Sequence, residues 1–368
     1  MQRLKIVQCF FTFETGGAQV LALGLLNEMC HEHDVFLIII NNKCNNSLLT
    51  QLDKRVQVIF INRKEGTRNP FPILKLNFVL FRLKPDIIHC HEPKAAGLIK
   101  IKAGKLVHTI HDTGIPATFY HLYDVLVAIS NAVCKDASSM TDLPVKTVFN
   151  GIPMDSFAQR KNYPVKSGVP VKLVQLSRLM HEKKGQDVLL KALHQVVQQY
   201  GFSNFTLDFI GSGSSMDYLK ELTGQLGLTK YVNFPGEKNR DWLFSNLCSF
   251  HLLIQPSRYE GFGLTILEGF AAGLPVIASD IAGPAEIIQG MPGGFLFKNE
   301  NVSDCAETLF KVFSLFENNK ISGLMEQTIS IVKNKYSIKN CSKKYLEVYA
   351  RLLNHEPIKP VLASIKQN

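Results

Sequence analysis

Two carboxylates, three neighbouring cations and a few well-placed glycines carry the chemistry that this sequence can do. Glu260 and Glu268 stand with seven residues between them in the stretch Pro256-Ser257-Arg258-Tyr259-Glu260-Gly261-Phe262-Gly263-Leu264-Thr265-Ile266-Leu267-Glu268. The apolar run 250–254 before the pair reads as a buried strand, and 264–273 after it reads as a helix. Glu260 then falls on the turn at the strand's carboxyl end, where open α/β sheets bind ligands, and Glu268 lies inside the helix. Gly261 and Gly263 let the backbone approach a ligand where a Cβ would obstruct it. Carboxylates so placed can accept hydrogen bonds from several hydroxyls of one polyhydroxylated ligand. Taken alone, the pair reads equally well as a solvated cap and an ordinary helical acid.

The segment 177–185 is the natural companion. It follows a strand, opens a helix, and supplies Arg178, Lys183 and Lys184 just before Gly185. Free backbone N–H groups at a helix start, with adjacent cations, suit a phosphate or diphosphate. Arg and Lys can then neutralise charge that a metal ion neutralises elsewhere. Gly211-Ser212-Gly213-Ser214 resembles a nucleotide loop, but Met216 leaves the GxGxxG fingerprint incomplete, and no GxxxxGK[ST] phosphate loop is present. Gly16-Gly17 after the first strand either admits a phosphate or acceptor close to the backbone or caps a helix. His89, His91 and Glu92 cluster at a strand end, with both rings on one face. No fourth ligand with zinc-like spacing accompanies them, so no metal site is expected. His111 ends a different strand at the same sheet edge.

These residues need strands and helices in alternation to hold them, and the pattern supplies both. In the first half, strands fall at 4–10, 34–40, 56–61, 86–90, 106–110, within 122–129, and at 147–149. Helices follow Gly16-Gly17 to Met29, at 71–83, at 94–102, and from Asn131 with Ser130 as cap. Residues 158–170 (AQRKNYPVKSGVP) break the rhythm and form the candidate linker. Strand–helix alternation then restarts at 172–176 and 185–198, and continues through strands at 205–210, 232–234, 250–254, 276–279 and 295–297. Three helices at 301–317, 321–334 and 338–354 finish the chain. Repeated βα units predict doubly wound parallel sheets. At 368 residues two domains are expected: 1–160, 161–337, and a terminal segment 338–368.

Composition narrows the partners. Hydrophobic content of 46% and charged content of 20% describe an ordinary globular protein. The net charge of +10 is concentrated: residues 54–105 hold twelve Lys/Arg against Glu65, Asp86 and Glu92. Such a stretch suits an anionic membrane surface, a phosphorylated lipid or nucleic acid. Eight cysteines without a CxxC pair point to a reducing compartment. The first residues lack a secretory signal pattern, and no apolar run approaches a membrane span. A cytoplasmic protein, peripheral on the membrane's inner face, is the expectation.

Together these motifs resemble the retaining nucleotide-sugar glycosyltransferases of family 4, which have the GT-B fold of two Rossmann-like domains facing across a cleft. The resemblance runs through Gly16-Gly17-Ala18-Gln19, Asp86-Ile87-Ile88-His89, His111, Ile129-Ser130-Asn131, Asn150-Gly151-Ile152-Pro153 and Ser177-Arg178-Leu179 with Lys184-Gly185. It continues through Gly211-Ser212-Gly213, Pro235-Gly236-Glu237, Glu260 with Glu268, and Gly273-Leu274-Pro275-Val276-Ile277-Ala278. It implies that Arg178 and Lys184 hold the donor diphosphate, with Lys183 as alternate. Glu260, Gly261, Phe262, Gly263 and Leu264 would meet the donor sugar, and Glu268 the ribose hydroxyls. Gly16 and Gly17 would lie near the phosphate and acceptor, Gly211 in the nucleotide loop, and His111 near the reacting sugar. The final helix would cross back to the first domain, and no metal or cofactor would be required.

The activity so implied is transfer of a sugar from a nucleotide sugar (a UDP-sugar first, GDP-mannose next) to a glycan acceptor. The basic stretch 54–105 and the apolar-basic helix 71–83 suggest a lipid-linked acceptor, as in lipopolysaccharide, O-antigen or capsule biosynthesis, with no nucleic-acid partner. A soluble acceptor, a nucleotide-sugar epimerase of the same fold and a non-catalytic nucleotide-sugar binder are the competing readings.

Overall fold

Residues 2–163 and 168–357 are described by a computed structural model. The chain divides into two compact units, one formed by 1–152 with 338–368 and the other by 153–337. The division falls at Ile152/Pro153, ahead of the 158–170 segment that the broken periodicity marked. Residues after Pro153 already belong to the second unit: Ala158 N donates to Phe244 O, Arg160 N to Ala272 O, and the Tyr163 hydroxyl to Gly273 O. Of the marked segment, 164–167 lie outside the described residues, as does the 358–368 tail.

The first unit carries seven parallel strands: β1 (Lys5–Phe10), β2 (Asp34–Asn41), β3 (Gln57–Arg63), β4 (Ile87–Cys90), β5 (Lys105–Ile110), β6 (Val125–Ala128) and β7 (Val145–Thr147). Their order is β3-β2-β1-β4-β5-β6-β7. The second unit carries β8 (Val171–Leu176), β9 (Phe205–Ile210), β10 (Val232–Gly236), β11 (Leu252–Gln255), β12 (Val276–Ser279) and β13 (Gly294–Phe297), ordered β10-β9-β8-β11-β12-β13. Central strands such as β2 and β11 are buried along nearly their whole length, as sheets covered by helices on both faces require. Strand order reverses between β1 and β4 and between β8 and β11, so each unit is doubly wound and has one switch point.

Side-chain caps set several helix starts. Ser130 accepts from Val133 N, Asn239 from Trp242 N and Asn301 from Asp304 N, each starting a helix. Two sequence expectations are corrected. The helix at 94–102 is only a 3-10 turn, Pro93–Leu98, which Gly97 and the short connection to β5 keep from lengthening. The strand at 147–149 lies at Val145–Thr147, shifted to pair with Leu126–Ala128.

The final helix, Ile338–Leu353, packs within the first unit. Cys341, Tyr345, Val348 and Tyr349 are buried in the same core as Phe10, Leu25, Leu37 and Ile39. Gly24 leaves room for Ile338, whose Cδ1 would lie 2.8 Å from a Cβ there. Among the described residues no helix is long and apolar enough to cross a membrane.

Candidate functional site

The second unit's switch point makes β8 and β11 neighbours, with Leu252 beside Leu173 and Leu253 beside Val174. The loops leaving their carboxyl ends must therefore meet. After β8 the chain makes a single helical turn, His181–Lys184, where the sequence suggested only a loop. Gly185 follows with φ +64, and a Cβ there would lie 1.9 Å from Pro256 O. Arg258 then locks the two loops together. Its backbone N–H donates to Lys183 O at 2.9 Å. Its guanidinium donates to His181 O at 2.6 Å and to both Asp187 oxygens at 2.8 and 3.0 Å. Asp187 is 5% exposed. Breaking so enclosed a pair would cost on the order of 3 kcal/mol. The lock brings Lys184 Nζ to 2.5 Å from Glu260 Oε2, both side chains about four-fifths shielded from solvent.

The loop after β9 packs against the same place. Leu179 N donates to Ser212 O at 2.8 Å and Ser215 N to Leu179 O at 3.0 Å. Gly211, with φ +147, and Gly213 permit this, since Cβ atoms would fall 1.9 Å from Ser177 O and 2.3 Å from Leu179 O. The two glycines therefore serve a loop-to-loop approach, whatever else the loop touches. Gln186 Nε2 donates to Ser177 Oγ and Arg178 O, fixing the backbone from below. The Arg178 side chain is exposed, with no ion pair or side-chain hydrogen bond among the described residues. Lys183 contributes its carbonyl to the lock.

On the β11 side, Gly263 takes φ +103 and caps the helix that Leu264 opens, Leu264–Ala271, and Phe262, between Gly261 and Gly263, is buried. Gly283 lies against this loop, where a Cβ would sit 2.7 Å from Glu260 O. The Glu268 side chain is only 12% exposed, and desolvation raises its pKa, opposed by Arg240 at 3.9 Å. Desolvation also lowers the Arg240 pKa, with Glu268 opposing. Its guanidinium rests 4.9 Å from the Phe244 ring centroid. Arg240, Arg258, Asp187 and Gly283 went unassigned in the sequence. For Arg258 alone a signal existed, its place two residues before Glu260.

Gly16, Gly17 and His111 lie in the first unit, at the carboxyl edge of its sheet. Gly16 has extended φ of −165 and caps the helix Gly17–Met29. His91 joins His111 (2.9 Å) to Gln8, and its ring stacks on Phe10 and on His89. His89 bonds the Tyr349 hydroxyl at 2.6 Å and Thr109 at 2.7 Å. The histidine cluster is thus a hydrogen-bonded core that ties β1, β4 and β5 to the final helix. Among the described residues no group of three His, Cys, Asp or Glu is arranged to hold a metal ion.

Burial is the leading cause that lowers all four ring pKa values here: His89 and His91 fall well below the ordinary value, His108 to about 4 and His111 to about 3. The folded rings are neutral, and the unfolded chain takes up protons first, near pH 6.5. Their contribution to stability is therefore complete above about pH 6.5 and is lost as pH falls toward 4. Glu92, raised to about 7 by burial, acts oppositely between 4.5 and 7, one carboxyl against four rings. Urea unfolding at pH 7 and pH 5 should show lower stability at pH 5, by more than the ~1.4 kcal/mol per unit that a single ring supplies. Equal stability at both values would mean that the rings are protonated in the fold.

Two family models cover the chain in tandem. One described as Glycosyltransferase Family 4 matches residues 15–156, and one described as Glycosyl transferases group 1 matches 158–322. An uncharacterized glycosyltransferase of Methanocaldococcus jannaschii is 28% identical over 302 residues, covering 72% of this chain and 75% of the relative. Among solved structures, a glycosyltransferase from Rickettsia africae superposes with TM-score 0.79 at 22% identity, over 97% of this chain and all of the other. Anabaena HepE, solved with UDP and glucose, gives TM-score 0.75 at 20% identity, over 95% of this chain and all of HepE. At these identities the structural matches speak for the fold.

Proposed function

The chain belongs to the GT-B glycosyltransferases of the family 4 and group 1 type, and we propose that it is a retaining enzyme moving a sugar from a UDP-sugar to a lipid-linked glycan. One observation carries the donor end of this reading. The β8 and β11 loops are locked so that Arg178 and Lys184 on the first loop meet Glu260 on the second at one edge of one sheet, with Glu268 in the helix that follows. Arg178 and Lys184 take the diphosphate, Glu260 accepts from sugar hydroxyls, and Glu268 accepts from the ribose, with Arg240 favouring its ionised form. HepE, of the same fold, holds UDP and glucose, which supports UDP ahead of GDP.

Charge dictates the chemistry. Breaking the bond between the anomeric carbon and the phosphate oxygen leaves an oxocarbenium-like centre and a diphosphate. Arg178 and Lys184 stabilise the growing negative charge, Lys184 held in place by its pairing with Glu260. Glu260 is held by Lys184, an arrangement better suited to gripping hydroxyls than to attacking carbon. The acceptor oxygen therefore bonds to the anomeric carbon on the face the phosphate leaves, and its proton passes to a departing phosphate oxygen. The excess of basic residues in 54–105 supports an acceptor presented at an anionic membrane surface.

A thermal-shift series with UDP, GDP and ADP tests the donor reading. UDP should give the largest rise, since a ligand at a hundred times its Kd adds ~2.7 kcal/mol to the folded state. Arg178→Ala should remove most of that rise while leaving the unliganded transition in place, because the side chain is exposed and unpaired among the described residues. A preference for GDP would move the donor to GDP-mannose. No response to any of the three nucleotides would overturn the reading.

A further inference from the structure

The helix Phe71–Leu83 is inverted relative to an ordinary surface helix. Its inner face buries only Leu76 and Leu80, whereas Phe71, Leu74, Phe78 and Phe81 are 72, 60, 64 and 62% exposed. Spacings of three, four and three put these four on one face. Single exposed apolar residues are normal, but a contiguous aromatic stripe marks an interaction surface.

The frame around the stripe is basic. Lys75 and Arg82 are exposed on its border, and the helix contains no carboxylate. Lys64 and Arg68 precede it in an exposed loop, and Lys84 follows it. Asn77 ties the helix to the segment bearing Lys100 and Lys102, donating to Leu98 O at 2.9 Å and accepting from Lys100 N at 2.6 Å. Lys75 Nζ donates to Phe60 O at 2.7 Å, and Phe60, on the edge strand β3, is itself 36% exposed. The nearby Glu65 is already paired with Lys43.

We propose that the Phe71–Leu83 helix is an interfacial membrane anchor that seats Phe71, Leu74, Phe78 and Phe81 below the phosphates of an anionic leaflet while its basic frame binds the headgroups. The proposal deepens the lipid-linked acceptor reading and rests on it for its purpose. Thirteen residues make a helix of about 20 Å, too short to span hydrocarbon, so the helix lies in the interface plane. A second copy would suit the stripe less well, since symmetric pairing would press one basic frame against another. An anionic bilayer satisfies both halves of the surface at once.

Co-sedimentation with phosphatidylcholine vesicles containing about 30% phosphatidylglycerol tests the anchor, at low salt and at about 0.5 M NaCl, where headgroup attraction is largely screened. The wild-type chain should bind at low salt and keep a salt-resistant fraction. Phe78→Ser/Phe81→Ser should bind at least about tenfold more weakly and lose that fraction entirely, because two apolar side chains no longer leave water. Phe78→Trp in a Trp242→Phe background should shift its emission to the blue on the same vesicles and be quenched by brominated lipid. Wild-type chain left in the supernatant, or a double variant that binds as the wild type does, would overturn the proposal. So would a vesicle-independent dimer that the double variant converts to monomer. The UDP thermal shift on the same proteins keeps the two readings apart: a normal shift without vesicle binding rejects the anchor alone, and vesicle binding without a shift rejects the donor site alone.

Discussion

Glu260→Ala should lower turnover about 10³-fold while leaving UDP binding equal or slightly tighter. Removal of a single preorganised electrostatic contact commonly costs ~10²–10³ in kcat, and in the proposed site Glu260 combines a sugar contact with the positioning of Lys184. Lys184 lies 2.5 Å from the carboxylate, both groups mostly shielded from solvent, so loss of the carboxylate frees an ammonium beside the diphosphate. Ground-state affinity for nucleotide then holds or rises while the sugar loses its grip. Lys184→Ala should behave differently, weakening UDP and lowering turnover together, because an unpaired Glu260 would face the diphosphate. The double variant should fall short of the product of the two effects, as expected of residues that act through one contact. Steady-state kinetics with UDP titrations on the four proteins decides it. Near-normal turnover in Glu260→Ala would remove this residue from the site.

The sequence disclosed this cluster of candidate residues because they follow one grammar: strand, short loop, helix. Arg178 and Lys184 follow β8, Glu260 follows β11, and strand order alone brings those loops together. What the grammar could not disclose was any contact that depends on tertiary fit. Arg258 reaches Asp187 across 71 positions, and Gly283 makes room for a carbonyl 23 residues earlier. Neither leaves a local pattern. His89 shows the same limit from another direction. Its neighbours in sequence lacked a fourth metal ligand and so argued against a metal site, but they could not name its partner, Tyr349, 260 residues away on the final helix. The exposed stripe at Phe71–Phe81 was legible as an amphipathic helix, but which face met water was not, because only the packed unit shows that Leu76 and Leu80 are the residues it buries.

Gly185→Ala should disable the site without touching any group that meets the donor. Gly201 supplies the control. It ends the helix Gln186–Tyr200 that Gly185 begins, and the two share almost the same left-handed backbone, φ +66 and +64. Nothing lies within 4 Å of a Cβ at Gly201, whereas at Gly185 the Pro256 carbonyl oxygen lies 1.9 Å away. Gly201→Ala therefore reports backbone strain alone, about 1–2 kcal/mol, with UDP binding unchanged. Gly185→Ala adds a collision with main chain that no side-chain rotation relieves. The β8 and β11 loops must separate, and with them Lys184 from Glu260, one residue before the first contact and four after the second. Displacements near 1 Å at such a site cost about 10²-fold in rate, so Gly185→Ala should lose at least that much transfer, and most of the UDP-induced thermal shift. Equal behaviour of the two variants would mean that the loops can part without consequence. The glycine before this helix would then be there for the phosphate, as the sequence alone suggested, and not for the Pro256 carbonyl.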